Sequence, residues 1–227
     1  MPDEFAVGAS VLADGALGDE FGLGGDLRRV VAIMARLRRD CPWDAEQTHR
    51  SLTKHLIEEA AETVDAIEAG SDADLVEELG DVLLQVVFHA ELARLEGRFD
   101  IDDVADALVA KLVARHPWVF GEDARPGDMM ATWEGAKKAQ KQRDSCLDGI
   151  PDALPSLARA AKVATRLRDT QADAAVGLPS DVDDDGTTIG NRLLALIVEA
   201  VQSGVDPDQA LRDATRAWEQ RVRETGV

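Results

Sequence analysis

The 227-residue chain is 45% apolar and 30% charged, a globular composition long enough for one large domain or two small ones. Its 44 acidic residues outnumber 25 basic ones for a net charge of -19, which repels phosphate backbones and anionic lipid and argues against both as partners. No apolar run reaches the roughly 20 residues of a bilayer span. The first residues lack the basic start and apolar core of a secretion signal. Cys41 and Cys146 stand far apart and form no C-x-x-C pair, so they read as free thiols of a cytoplasmic protein.

Residues 1–24 carry five glycines among small and acidic residues and read as a flexible tail. From there the pattern is helical. Leu27, Val30, Val31, Met34 and Leu37 follow one buried stripe. Pro42 and turn-formers in DCPWDAEQTHRS predict a loop, followed by a helix over about 51–69 that stops at Gly70. Ser71 is placed to cap a helix over about 72–96, and Asp100 one over about 101–115 that ends before Pro117. Asp128 is placed to open MMATWEGAKKAQKQR, and further helices are expected over about 152–169, 188–203 and 207–225. The acidic, Gly- and Pro-broken segment 170–188 reads as a connector. Strand-like alternation is absent, so the expected fold class is an all-α helical bundle. Residues 80–97 echo 190–204, and 99–115 echo 205–221, either as a repeated helix pair or as a chance likeness of amphipathic helices.

The chemistry concentrates in two helices. The first carries Glu58, Glu59, Glu62, Asp65 and Glu68; the next carries Glu77, Glu78 and Asp81 before the apolar run VLLQVVF. Residues three apart share a helix face, which pairs Glu59 with Glu62 and Glu78 with Asp81. Glu62 and Asp81 are set among apolar neighbours, where an ionised carboxylate is costly without a partner. The short link, SDAD, predicts antiparallel packing that lets the two acidic pairs meet. Converging carboxylates repel one another unless a cation sits among them, and oxygen donors select Mg²⁺, Mn²⁺ or Ca²⁺ over zinc. A solvated acidic face is the alternative reading. A di-iron bundle would need two inward Glu-x-x-His units, and the sequence holds only Glu46–His49, in the loop region.

A basic cluster follows. Lys111 and Arg115 are four apart with His116 next, and Trp133, Lys137, Lys138 and Lys141 lie further on. In so acidic a chain these suit phosphate oxygens, with Trp133 able to stack on a base. Equally they suit exposed helix ends and a core tryptophan.

The runs CPWDAEQTHRSL, EEAAETVDAI, EELGDVLLQVVFHAELARLEGRFD, KLVARHPWVFG and TWEGAKKAQK, in this order, resemble the MazG family of all-α nucleoside triphosphate pyrophosphohydrolases. The likeness spans roughly residues 27–150 and includes the E-x-x-E and E-x-x-D signature. It implies hydrolysis of nucleoside triphosphates to monophosphate and pyrophosphate with Mg²⁺, Mn²⁺ being a possible substitute, broad base tolerance and a house-cleaning role. Carried onto this sequence, it implies Glu59, Glu62, Glu78 and Asp81 as metal ligands with Glu58 in their immediate shell; a carboxylate not fully committed to metal, Glu58 or Glu62, is the candidate general base. It implies Lys111, Arg115, Trp133 and Lys137 as substrate-binding residues, and a homodimer. It divides the chain into a catalytic domain over 25–150 and a reduced second repeat over 151–227. In that repeat Asn191 stands where Asp81 stands in the first, and Ala217 replaces Lys111. A non-catalytic helical protein that senses nucleotide or metal is the alternative function.

Overall fold

The computed structural model describes residues 27–121, 127, 145–169 and 185–226. The tail over 1–24, the helix expected after Asp128 and most of the connector over 170–188 lie outside these residues. Among the described residues all regular structure is helical: α1 (Leu27–Asp40), α2 (Pro42–Glu46), α3 (Thr53–Ala69), α4 (Asp72–Leu95), α5 (Ile101–Arg115), α6 (Pro117–Phe120), α7 (Ser156–Asp169), α8 (Asp185–Gln202) and α9 (Pro207–Glu224). The chain divides into two compact units, Met1–Met129 and Met130–Val227.

In the first unit the expected caps define the helix starts. The Ser71 hydroxyl accepts from the Asp74 amide while the Asp74 carboxylate accepts from the Ser71 amide, closing a capping box on α4. Asp100 and Asp103 do the same for α5. Differences from expectation are local. Pro42 sits at the first position of a five-residue helix inside the expected loop, because its fixed φ starts a helix as readily as it ends one. His116 and Pro117 likewise separate α5 from the short α6.

The core of this unit is built by α4. Val87, Phe88 and Leu92 pack with Met34 of α1 and Leu52, and Val30, Val31, Leu83, Leu84 and Ile101 close around them. Burying each large side chain contributes about 1.5–3 kcal/mol. The C-terminal half of α4 is enclosed on several sides, and even Glu91 is buried, held by a bidentate contact from Arg94 at 2.6 and 2.8 Å. The N-terminal half of α4, with Glu77 exposed and Glu78 and Asp81 half-buried, lies along α3 instead.

In the second unit α7 packs on both α8 and α9, burying Ala164, Ile197 and Val201. Arg168 of α7 donates to the Val201 carbonyl at 2.9 Å, and Asp206 caps α9 through the amides of Asp208 and Gln209. The start of α8 at residue 185 takes the last residues of the expected connector into the helix.

Candidate metal centre

Helices α3 and α4 are joined through Gly70, whose amide closes α3 on the Ala66 carbonyl, and Ser71, which opens α4. Gly70 has no room for a side chain there, since a Cβ would lie 2.8 Å from Ala66 Cα. This tight link folds the two helices back along each other. Thr63 then ties them at mid-length: its hydroxyl donates to the Glu59 carbonyl at 2.7 Å and reaches the Glu78 carbonyl at 3.4 Å. The backbone segments that carry the two acidic pairs are thus held side by side.

The result is a group of three half-buried carboxylates, Glu59, Glu78 and Asp81, whose nearest oxygens all lie within 4.8 Å of one another. A hard cation with oxygen ligands at about 2.0–2.6 Å spaces its donors by roughly 3–5 Å, so the cluster has the dimensions of one such ion's shell. Glu78 Oε2 is buried and has no hydrogen-bond partner. Burying an acceptor with nothing to bond is costly, and a cation removes that cost.

Electrostatics agree with the geometry. Burial is the first cause raising the Glu59 carboxyl above its ordinary range, followed by the charges of Asp81, Glu62 and Glu78, with His55 pulling the other way. Burial also leads for Glu78, followed by Glu62, Asp81, Glu77 and Asp74. The donor set is all oxygen, which fits Mg²⁺, Mn²⁺ or Ca²⁺ and not a thiolate or imidazole metal.

These shifts have a consequence for stability. Both groups bind a proton more tightly in the folded, metal-free protein than in the unfolded chain. Their contribution is therefore fully present below the ordinary Glu range, about pH 4.5, and is lost as pH rises through the raised folded values. We expect urea midpoints of the metal-free protein to fall across that window. In the Glu59→Gln, Glu78→Gln double variant the fall should be smaller.

The remaining expected residues are placed as follows. Glu62 is exposed and stays outside the tight group, although its charge acts on both Glu59 and Glu78. Glu58 points to His55, with Nδ1 and Oε2 3.1 Å apart. Lys111 is exposed on α5 and Arg115 is buried at its end. Neither contributes to the charges that shift Glu59 and Glu78. Trp133 and Lys137 lie outside the described residues.

The structure adds groups that the sequence pattern did not single out. Trp43 of α2 stands edge-on to both His55 and Phe88, with ring centroids 6.1 and 6.4 Å away. Arg38 of α1 donates to the Asp44 and Gln47 carbonyls and lies 5.7 Å from the Phe88 ring centre, fixing the segment that presents Trp43. The signal for Arg38 and Thr63 was absent, since each acts on backbone carbonyls through a contact that no side-chain spacing encodes.

An all-helical protein with a three-carboxylate centre sized for a divalent cation is the class these features define. The pattern of the MazG nucleotide pyrophosphohydrolase domain matches residues 47–120, which contain all three carboxylates. The chain is 47% identical over 205 residues to an uncharacterized 26.1 kDa protein of Streptomyces cacaoi, covering 88% of this chain and 82% of that one. It is 41% identical over 197 residues to the nucleoside triphosphate pyrophosphohydrolase of Mycobacterium tuberculosis; the match takes in 85% of this chain but only 56% of that protein's length. It is 36% identical over 213 residues to the nucleoside triphosphate pyrophosphohydrolase/pyrophosphatase MazG of Thermotoga maritima, covering 86% of this chain and 83% of the relative. The chain belongs to the MazG family.

Proposed function

We propose that this protein hydrolyses nucleoside triphosphates to monophosphates and pyrophosphate, with Mg²⁺ held by Glu59, Glu78 and Asp81 and Mn²⁺ able to replace it. The observation that carries the reading is the convergence of these three carboxylates around the unpartnered Glu78 Oε2. When bound, the cation lowers the pKa of water and neutralises charge on phosphate oxygens. The protein's own groups do the rest. Glu58 is engaged by His55, which leaves Glu62, exposed beside the centre, as the carboxylate free to take the proton of the attacking water. Lys111 and Arg115, with Trp133 and Lys137, bind and orient the triphosphate and stabilise its spreading charge.

The same reading gives the protein broad base tolerance, a role in clearing aberrant nucleotides and a place in the cytoplasm. No helix among the described residues is long and apolar enough to cross a membrane. Dimerisation belongs to the proposal as well, supported by large apolar side chains left exposed on the hairpin, including Ile57, Ile67, Val76 and Leu79 at 50–64%. The test is pyrophosphate release from a panel of common and damaged nucleoside triphosphates with Mg²⁺. Tight nucleotide binding with no release would instead support a non-catalytic sensor.

Metal loading has a readout of its own. At pH 7–8 a divalent ion at about 100 times its Kd stabilises the folded state by about 2.7 kcal/mol. For a chain of this size that corresponds to roughly 5–10 °C in Tm. We expect such a rise with Mg²⁺ or Mn²⁺ in a thermal melt, and little or none in Glu78→Gln.

A further inference from the structure

Outside the carboxylate centre, the sharpest polar constellation is a pair of histidines 40 residues apart. His49 lies in the segment leading into α3, and His89 lies on α4, two turns beyond Asp81. Their rings are parallel to within 1°, with centroids 5.0 Å apart, and Nδ1 of one stands 2.8 Å from Nδ1 of the other. Such a contact requires one nitrogen to donate and the other to accept.

The neighbour decides which. Arg98 is in hydrogen-bond contact with His49 Nε2, and a guanidinium only donates, so His49 Nε2 accepts and its proton sits on Nδ1. That proton is donated to His89 Nδ1, leaving the His89 proton on Nε2. Arg98 is itself held by the Glu96 carboxylate at 2.6 Å and lies over the Phe99 ring, so the chain of donors starts from an anchored group.

A second proton on His89 would set N–H against N–H, and one on His49 would set N–H against the guanidinium. Arg98, paired with Glu96, is in contact with His49, and on α4 itself Arg94 is already committed to Glu91. Burial and the neighbouring His49 both lower the affinity of His89 for a proton. The His89 ring is thereby kept neutral.

The pair sits where it controls register. On α4, Glu78, Asp81, Gln85 and His89 lie along one side of the helix at three- and four-residue spacing. His89 is eight residues from Asp81, about 12 Å along the axis. His49 begins the turn that enters α3, where Leu52 donates to the Thr48 carbonyl and Thr53 Oγ1 to the His49 carbonyl. Glu59 follows within two turns of that start. A sliding of α3 along α4 by one residue would move Glu59 by about 1.5 Å, enough to open the carboxylate group.

We propose that His49 and His89 form a tautomer-ordered latch that fixes the register of α3 against α4 and so positions Glu59 against Glu78 and Asp81. Its catalytic consequence rests on the pyrophosphohydrolase reading above. Neither histidine touches the carboxylates; both are positioning residues.

The test combines imidazole ¹⁵N NMR of the wild type with two substitutions. His89→Asn keeps an acceptor near the Nδ1 position without a ring that can protonate, and His89→Phe removes the acceptor. The latch predicts that His49 is the Nδ1–H tautomer and His89 the Nε2–H tautomer, with His89 staying neutral below the ordinary imidazole midpoint of about 6.5. His89→Phe should weaken Mn²⁺ affinity and turnover by about 10–100-fold, as loss of an outer support does at metal sites, and His89→Asn should recover most of it. Mixed tautomers in either ring would overturn the proposal, as would equal behaviour of the two variants. If the wild type releases no pyrophosphate from any triphosphate, the activity reading fails. The latch is then judged by the tautomers and by the Mn²⁺-induced rise in Tm, small in His89→Phe and restored in His89→Asn.

Discussion

Replacing Glu78 or Asp81 by Ala is expected to lower pyrophosphate release by at least about 100-fold, since removal of a direct ligand does no less than loss of an outer support. Both residues belong to the half of α4 that lies along α3, away from the buried cluster of Val87, Phe88 and Leu92. Neither change removes a core contact, so the variants should keep the helical circular dichroism and the oligomeric state of the wild type. The Glu78→Ala protein without metal should even unfold later at neutral pH, because it loses a buried, unpartnered oxygen repelled by Glu62 and Asp81. A loss of activity coupled to a gain in metal-free stability separates a site residue from a structural one. Steady-state pyrophosphate assays and thermal melts on the same samples check both halves. Equal activity in wild type and variants would remove the site assignment.

The second large effect falls on Glu62. Deleting a general base lowers kcat by about 10²–10⁴ while leaving binding of the ion and the nucleotide largely in place. We expect Glu62→Ala to show that pattern, with KM and the metal-induced rise in Tm close to wild type. Glu58→Ala should be milder, because the Glu58 carboxylate is already engaged by His55 at 3.1 Å. Kinetics of the two variants side by side, with calorimetric Mn²⁺ binding, distinguish the roles. A Glu62→Ala protein that loses metal binding outright would make Glu62 a ligand and not a base.

Much of this arrangement was legible in the residues. The Gly70-Ser71 link, the Ser71 and Asp100 caps and the three-residue spacing within each acidic pair define an antiparallel helix hairpin with carboxylates on its seam. What spacing does not contain is the angle at which two helices cross. Glu59 and Glu62 are both on the face that meets α4, yet only Glu59 joins Glu78 and Asp81, and one turn further along Glu62 is exposed. The short helix at Pro42 was hidden because proline marks the first turn of a helix and the interior of a loop equally well.

The His49–His89 contact was hidden for another reason: it joins residues 40 apart through ring nitrogens, and neither residue carries a periodic signal. His49 counted only as half of an isolated Glu-x-x-His unit. Its partner lies on the apolar half of α4.

The α8–α9 pair echoes α4–α5, but Asn191 occupies the place of Asp81, and the described residues hold no second group of three clustered metal-ligating side chains. Among the described residues the clustered carboxylates lie in the first unit, within the segment that matches the MazG domain.

In the proposed site Glu59, Glu78 and Asp81 together grip one divalent ion. Titration of metal-free protein with Mn²⁺, followed by the electron paramagnetic resonance of the free ion, tests it without nucleotide or turnover. The wild type is expected to suppress the free-ion signal saturably, and the Glu59→Gln, Glu78→Gln, Asp81→Asn protein to leave it intact. An undiminished signal in the wild type, or equal suppression by the substituted protein, would contradict it.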